Sequence, residues 1–284
     1  MSDPIDEIRE LHRQRRFAMK LQQKIDRALE SYVRINATGW SPDLDAATRE
    51  KFNKEAKDLI KRARGGERLP ISEPVLASDQ ARKPTDDLRK RAEKDMTLLA
   101  EQLPAFAWVT ATEGAGALGL ATIVAEAGDL KNYPNVAKLW KRLGFAPYDG
   151  LAGSTWKRES WRPRKLAAEE WTENPFSGER YALMHQIAIW LVNHQWTGAA
   201  KTESGEGEAC GPYGQVYGER RKHTAKTHPE WTKMHSRQDA LRVAMKAFLR
   251  DLWAEWNRAE VVPMPEKKKA TRTRRRVETV EMEA

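Results

Sequence analysis

Apolar side chains recur through residues 4–36 at steps of three and four: Leu11, Ala18, Leu21, Ile25, Ala28, Tyr32 and Ile35, with Gln14 as the one polar break. That spacing draws a single stripe along a helix and matches a heptad seam. The seam fits either a coiled coil that dimerises or a helical hairpin folded onto its own chain. Gly39 and Pro42, in NATGWSP, stop the first helix. A second helix is predicted from about Asp45 to Arg64, with Phe52, Ala56, Leu59, Ile60 and Ala63 on its inner face. The stretch RGGERLPISEPVLASDQARKP reads as a linker, and Pro84-Thr85-Asp86 opens a third helix running towards Leu103.

Beyond Pro104 the periodic segments are short and divided by glycines. Asn132 and Pro134 read as a cap and first-turn proline, ahead of inward-facing Val136, Leu139, Trp140 and Leu143. A helix is predicted from about Gly178 to Gln195, apolar at Tyr181, Met184, Ile187, Ala188 and Leu191. TGAAKTESGEGEACGPYG reads as a flexible loop. The last helix, about Ser236 to Arg258, carries Leu241, Met245, Phe248, Leu252 and Trp256 on one stripe. With no β alternation in the chain, the predicted class is mainly α. A coiled coil or helical hairpin (1–65) is joined by a linker (66–85) to a helical domain (86–260) that contains a helix–hairpin–helix. A basic tail (261–284) ends the chain.

Charge gives this helical outline a partner. Lys and Arg number 50 against 41 Asp and Glu, a net charge of +9 over 284 residues, which favours polyanionic partners. The single cysteine, Cys210, forms no intrachain disulfide and suits a reducing cytosol. No run reaches the roughly 18 apolar residues of a membrane span, and the N-terminus lacks the apolar centre of a secretory signal. The expected location is the cytoplasm, with no membrane partner. The 11 tryptophans divide between core positions and stacking platforms for bases.

One short stretch suggests how a polyanion is held. Gly114-Ala115-Gly116 joins two apolar helical segments as a helix–hairpin–helix. Glycine permits positive φ and carries no side chain to hold a phosphate away. The amides that open the second helix then face an anion favoured by the helix dipole. The alternative is a packing corner where small residues only allow close approach. Two basic segments add to the candidate surface. AGSTWKRESWRPRK (152–165) sets Lys157, Arg158, Arg162, Arg164 and Lys165 around Trp156 and Trp161. YGERRKHTAKTHPEWTK mixes Arg220, Arg221, Lys222 and Lys226 with Tyr217 and Trp231, and is either a second nucleic-acid surface or a solvated loop over the last helix. The tail KKKATRTRRR (267–276) supplies salt-sensitive affinity. Cys210, His223 and His228 imitate half of a zinc finger, but the usual first cysteine is missing, so no metal is assigned.

The hinge together with the segment C-terminal to it, GAGALGLATIVAEAGDLKNYPNVAKLWKRLGFAP, resembles the C-terminal domain of the insertion-sequence-110 family of transposases. The resemblance rests on Gly114, Gly116, Ala121, Gly128, Asp129, Tyr133, Lys138, Leu139, Gly144, Phe145 and Pro147. It extends through GSTWKR, FSGERYALMHQIAIWL and SRQDALRVAMKAFLRDLW to cover about residues 104–257, with an aromatic Phe145 in a slot that is aliphatic in the family. The resemblance implies transposition or recombination of DNA guided by an RNA, with a serine nucleophile in this domain. Ser154 is the matching position, although GSTW replaces the family's Ser-Gly-Gly. Its hydroxyl would form a phosphoserine with the cleaved strand, and Lys157 and Arg158 would offset charge on the phosphate. The family's magnesium sits in an RNase-H-like domain, and residues 1–103 contain no β-rich run ending in Asp. No cofactor is therefore expected in this chain. Either a partner supplies the carboxylates, or the protein binds nucleic acid without cutting it.

Overall fold

A computed structural model of the chain describes residues 3–148, 151–152, 177–197 and 207–258. It is mainly helical, as the periodicity requires. Helix α1 (Pro4–Ala37) begins where Asp3 accepts a hydrogen bond from the Ile5 amide and Pro4 fills a position that needs no N–H. α2 (Ala46–Arg64) starts at Asp45, whose carboxylate accepts from the Ala47 and Thr48 amides. α3 (Ser72–Ala100) runs antiparallel to α1, as cross-links from Arg15 to Glu93, Gln22 to Asp86 and Asp26 to Arg82 show.

That pairing corrects two expectations. Residues 72–85, expected as linker, are the first half of α3. Pro84 lies inside the helix at an exposed position and lacks the N–H an interior turn needs. The turn persists because Arg82, bonded to Asp26 at 2.6 Å, anchors it to α1, while the Thr85 hydroxyl donates to the Arg82 carbonyl. The buried face of α1 also departs from the heptad seam: besides Ala18 of the seam it carries Ile8, His12, Gln22, Leu29 and Val33, and it leaves Tyr32 and Ile35 exposed. Polar His12 and Gln22 go inward because other helices bring them carboxylates. α2 closes the far end of the pair over Leu29, Val33, Ala56, Ile60, Ile71 and Val75.

α4 (Phe106–Ala111), the hinge and α5 (Ala117–Ala127) follow, with α5 mostly buried. A 3-10 turn (Leu130–Asn132) leads to α6 (Val136–Arg142). The cap of α6 is Asn135, whose side chain accepts from the Lys138 amide; Asn132 only ends the preceding turn, which Asp129 caps. The short strands β1 (Pro147–Tyr148) and β2 (Leu151–Ala152) pair antiparallel. α7 (Gly178–Gln195) has Ser177 as its cap. β3 (Trp196–Thr197) pairs with β4 (Glu208–Ala209), and then come α8 (Pro212–Thr227) and α9 (Lys233–Arg258). The stripe predicted on the last helix is buried throughout.

α8 is a further correction, because its start at residues 212–214 falls within the expected flexible loop. Gly214 and Gly218 let α8 press against the end of α7. A Cβ on Gly214 would collide with the Gln195 carbonyl oxygen, and one on Gly218 would strike the Trp196 ring. One continuous core joins α4 to α9 and the first turns of α1, around Leu120, Ile123, Val124, Leu191, Phe248 and Trp256.

Candidate nucleic-acid interface

The hinge forms the helix–hairpin–helix that the glycines imply. Gly114 (φ 79°) and Gly116 (φ 64°) both adopt backbone that L side chains rarely enter, and buried Ala115 turns inward between them. The two glycines do different work. A Cβ on Gly114 would lie 2.9 Å from both the Leu191 Cα and the Trp190 carbonyl oxygen, so this glycine is a packing contact with α7. Around Gly116 there is nothing within 4 Å of a Cβ, and the residue is exposed. It precedes α5 directly, and no side chain caps that helix. Helix geometry leaves the first α5 amides without internal acceptors.

A side chain that sequence reasoning did not single out holds this corner. Gln195, only 2% exposed, donates through Nε2 to the Glu113 carbonyl (2.9 Å) and accepts at Oε1 from the Tyr213 amide (2.9 Å). It therefore bolts the hinge to the start of α8. Its one signal in the sequence is a glutamine at the end of an apolar stripe. Trp190, 59% exposed, and His194 stand on the last turns of α7, against the Gly114 side of the corner. No Lys or Arg occurs from Pro104 to Gly128, so the corner offers amides and neighbouring rings rather than cationic side chains.

At its other end α5 is locked by charge. Glu126 lies 3.1 Å from His12 Nε2 and accepts from Arg16 (3.1 Å) and Arg180 (3.0 Å), with its side chain 8% exposed. Burial alone would raise its pKa. Hydrogen bonds with His12 and Arg180, with the charge on Arg16, outweigh burial and hold it at about 2. Arg16 also pairs with Glu179, as does Lys20 at 3.2 Å. Gly128 follows, pressed against the Arg9 guanidinium, and Asp129 accepts from Trp256 Nε1 at 2.9 Å.

Among the other sequence-predicted residues, Arg220 is engaged in structure: its Nε donates to Asp239 at 2.5 Å, and Arg242 takes the second oxygen of that carboxylate. The guanidinium of Arg221 lies over the Tyr217 ring, and Lys222 is exposed. Ser154, Trp156, Lys157, Arg158, Arg162, Arg164, Lys165 and the tail 267–276 lie outside the described residues. The carboxylates of α1 and α3 do not fit a magnesium centre. Asp26 and Asp86 bond Arg82, Asp79 bonds Arg64 and Glu93 bonds Arg15, each an ion pair across or along helices. Among the described residues no three His, Cys, Asp or Glu side chains converge as a metal site, and Cys210 donates to the His194 carbonyl. Cys210 and His228 stand at opposite ends of α8, about 24 Å of helix apart. Among the described residues no helix is long and apolar enough to cross a membrane.

No family model, no curated protein and no solved structure matches this chain.

Proposed function

We propose that the protein binds the sugar–phosphate backbone of DNA at the Gly116 corner, as a DNA-binding protein of the transposase or recombinase type. The observation that carries this reading is the exposed, unobstructed Gly116 at the uncapped start of α5. A phosphate can approach such amides closely, and the helix dipole favours it. Contacts of this kind grip backbone without reading sequence. The net charge of +9 draws the polyanion, with the basic segment 152–165 as the side-chain counterpart of the corner.

Fluorescence anisotropy with a labelled duplex tests the reading. Gly116→Ala costs about 1 kcal/mol of stability from backbone strain alone. It lowers duplex affinity tenfold or more, and wild-type affinity falls steeply with salt. A folded Gly116→Ala protein with unchanged affinity returns the corner to a packing role.

Whether the protein also cuts is a second question. The alternative is a nucleic-acid-binding protein that does not cleave. Incubation with end-labelled DNA decides between the two. A covalent adduct that Ser154→Ala abolishes supports a serine nucleophile; binding without adduct supports the non-catalytic form.

A further inference from the structure

At the turn between α8 and α9, three aromatic rings form a ladder on the surface. His228 stacks on Trp231 with centroids 4.1 Å apart and planes 6° from parallel, and Trp231 stacks on His235 at 4.2 Å and 10°. The core does not depend on them: Trp231 belongs to neither apolar cluster, and His235 is exposed. The ladder is nonetheless held firmly. The His228 amide donates to the Thr224 carbonyl, the Trp231 amide to the His228 carbonyl, and the His235 amide to the Thr232 hydroxyl. Thr224 and Ser236 share a hydroxyl hydrogen bond of 2.6 Å that ties the first turn of α9 to α8.

The two ends of the ladder differ in charge. Glu230 sits 3.2 Å from His228 Nδ1 and makes that end unfavourable for a phosphate chain. Lys233 opens α9 two residues before His235. Lys233 is exposed and has no ion-pair partner among the described residues. A flat, pre-ordered and exposed ring of this kind can take a base on its free face.

We propose that the outer face of His235 is a stacking platform for an unpaired nucleobase. The proposal rests on the nucleic-acid reading above and narrows it, because a fully paired duplex offers no free base face. The shared chemistry is a single strand, of DNA or of RNA.

The test uses the full chain and short oligonucleotides carrying 2-aminopurine, whose emission falls when it stacks. One arm is single-stranded DNA, one single-stranded RNA, and one the same analogue within a complete duplex. Quenching is expected in at least one single-stranded arm, and the tighter arm names the source. His235→Ala weakens that binding about tenfold and abolishes the quenching, without altering duplex affinity. His235→Tyr, which keeps a ring in place, restores both. Single-strand binding and quenching that survive His235→Ala overturn the proposal. Duplex binding with no single-strand binding overturns it while leaving the Gly116 reading intact, and binding in no arm sinks both.

Discussion

The two ends of α5 are built on opposite principles. Its C-terminal end is closed: Glu126 is clamped by His12, Arg16 and Arg180, Gly128 abuts Arg9, and Asp129 takes the Trp256 indole. Its N-terminal end is fixed on the inside by Gly114 and Gln195 yet left bare on the outside at Gly116. A buried helix with one locked end and one open end is a rigid mount for exposed amides. For the phosphate contact proposed above, rigidity matters because amides that are already aimed lose little freedom on binding.

The largest effect is expected at the locked end. Glu126→Ala leaves buried His12 and partly buried Arg16 and Arg180 without their carboxylate and costs about 3–5 kcal/mol in urea unfolding. A loss below about 1 kcal/mol would mean that the clamp is incidental. The same carboxylate sets a pH dependence. Its folded pKa of about 2 lies below the ordinary 4.5, so its contribution is complete above the ordinary value and is lost as pH falls from there towards 2. The shift corresponds to about 3 kcal/mol. Acid unfolding of Glu126→Gln should therefore lack that part of the slope, and an unchanged slope would assign it to other groups.

Smaller effects belong to the open end, and they separate its two glycines. Gly114→Ala forces a methyl group against the α7 backbone as well as straining the chain, for about 2 kcal/mol. Gly116→Ala meets open space and costs about 1 kcal/mol, while its effect on duplex affinity is the larger of the two. Equal stability losses at both positions, measured by thermal unfolding, would erase the distinction between the packed and the bare face of the corner.

Much of the fold is legible along the chain. Asp3-Pro4, Asp45 and Ser177 announce helix starts through side chains that satisfy local amides, and the 241–256 stripe announces a buried face. The missed elements are those where distant groups overrule local preference. Pro84 marks a helix start in isolation, yet Asp26 on another helix pins Arg82 and keeps the turn intact. The glycines at 211, 214 and 218 signal a loop locally, but α8 needs them small to approach Gln195 and Trp196. At the candidate site, the hinge glycines are legible as positive-φ residues. That Gly114 packs while Gly116 stands open is not, since the difference lies entirely in α7. The His228–Trp231–His235 ladder is hidden for a related reason: spacing places the residues near one another, but only the turn between two helices makes their rings parallel.

By itself the sequence determined the mainly helical class, the bounds of α1, α2 and α7 and the bend at 114–116, because caps, periodicity and glycine act through neighbours a few residues away. Tertiary structure decided which face of α1 is buried, which arginines are already engaged, and which glycine meets solvent. Those outcomes depend on groups brought from as far as 114 residues along the chain, as Glu126 is to His12, and no local pattern encodes a partner at that range.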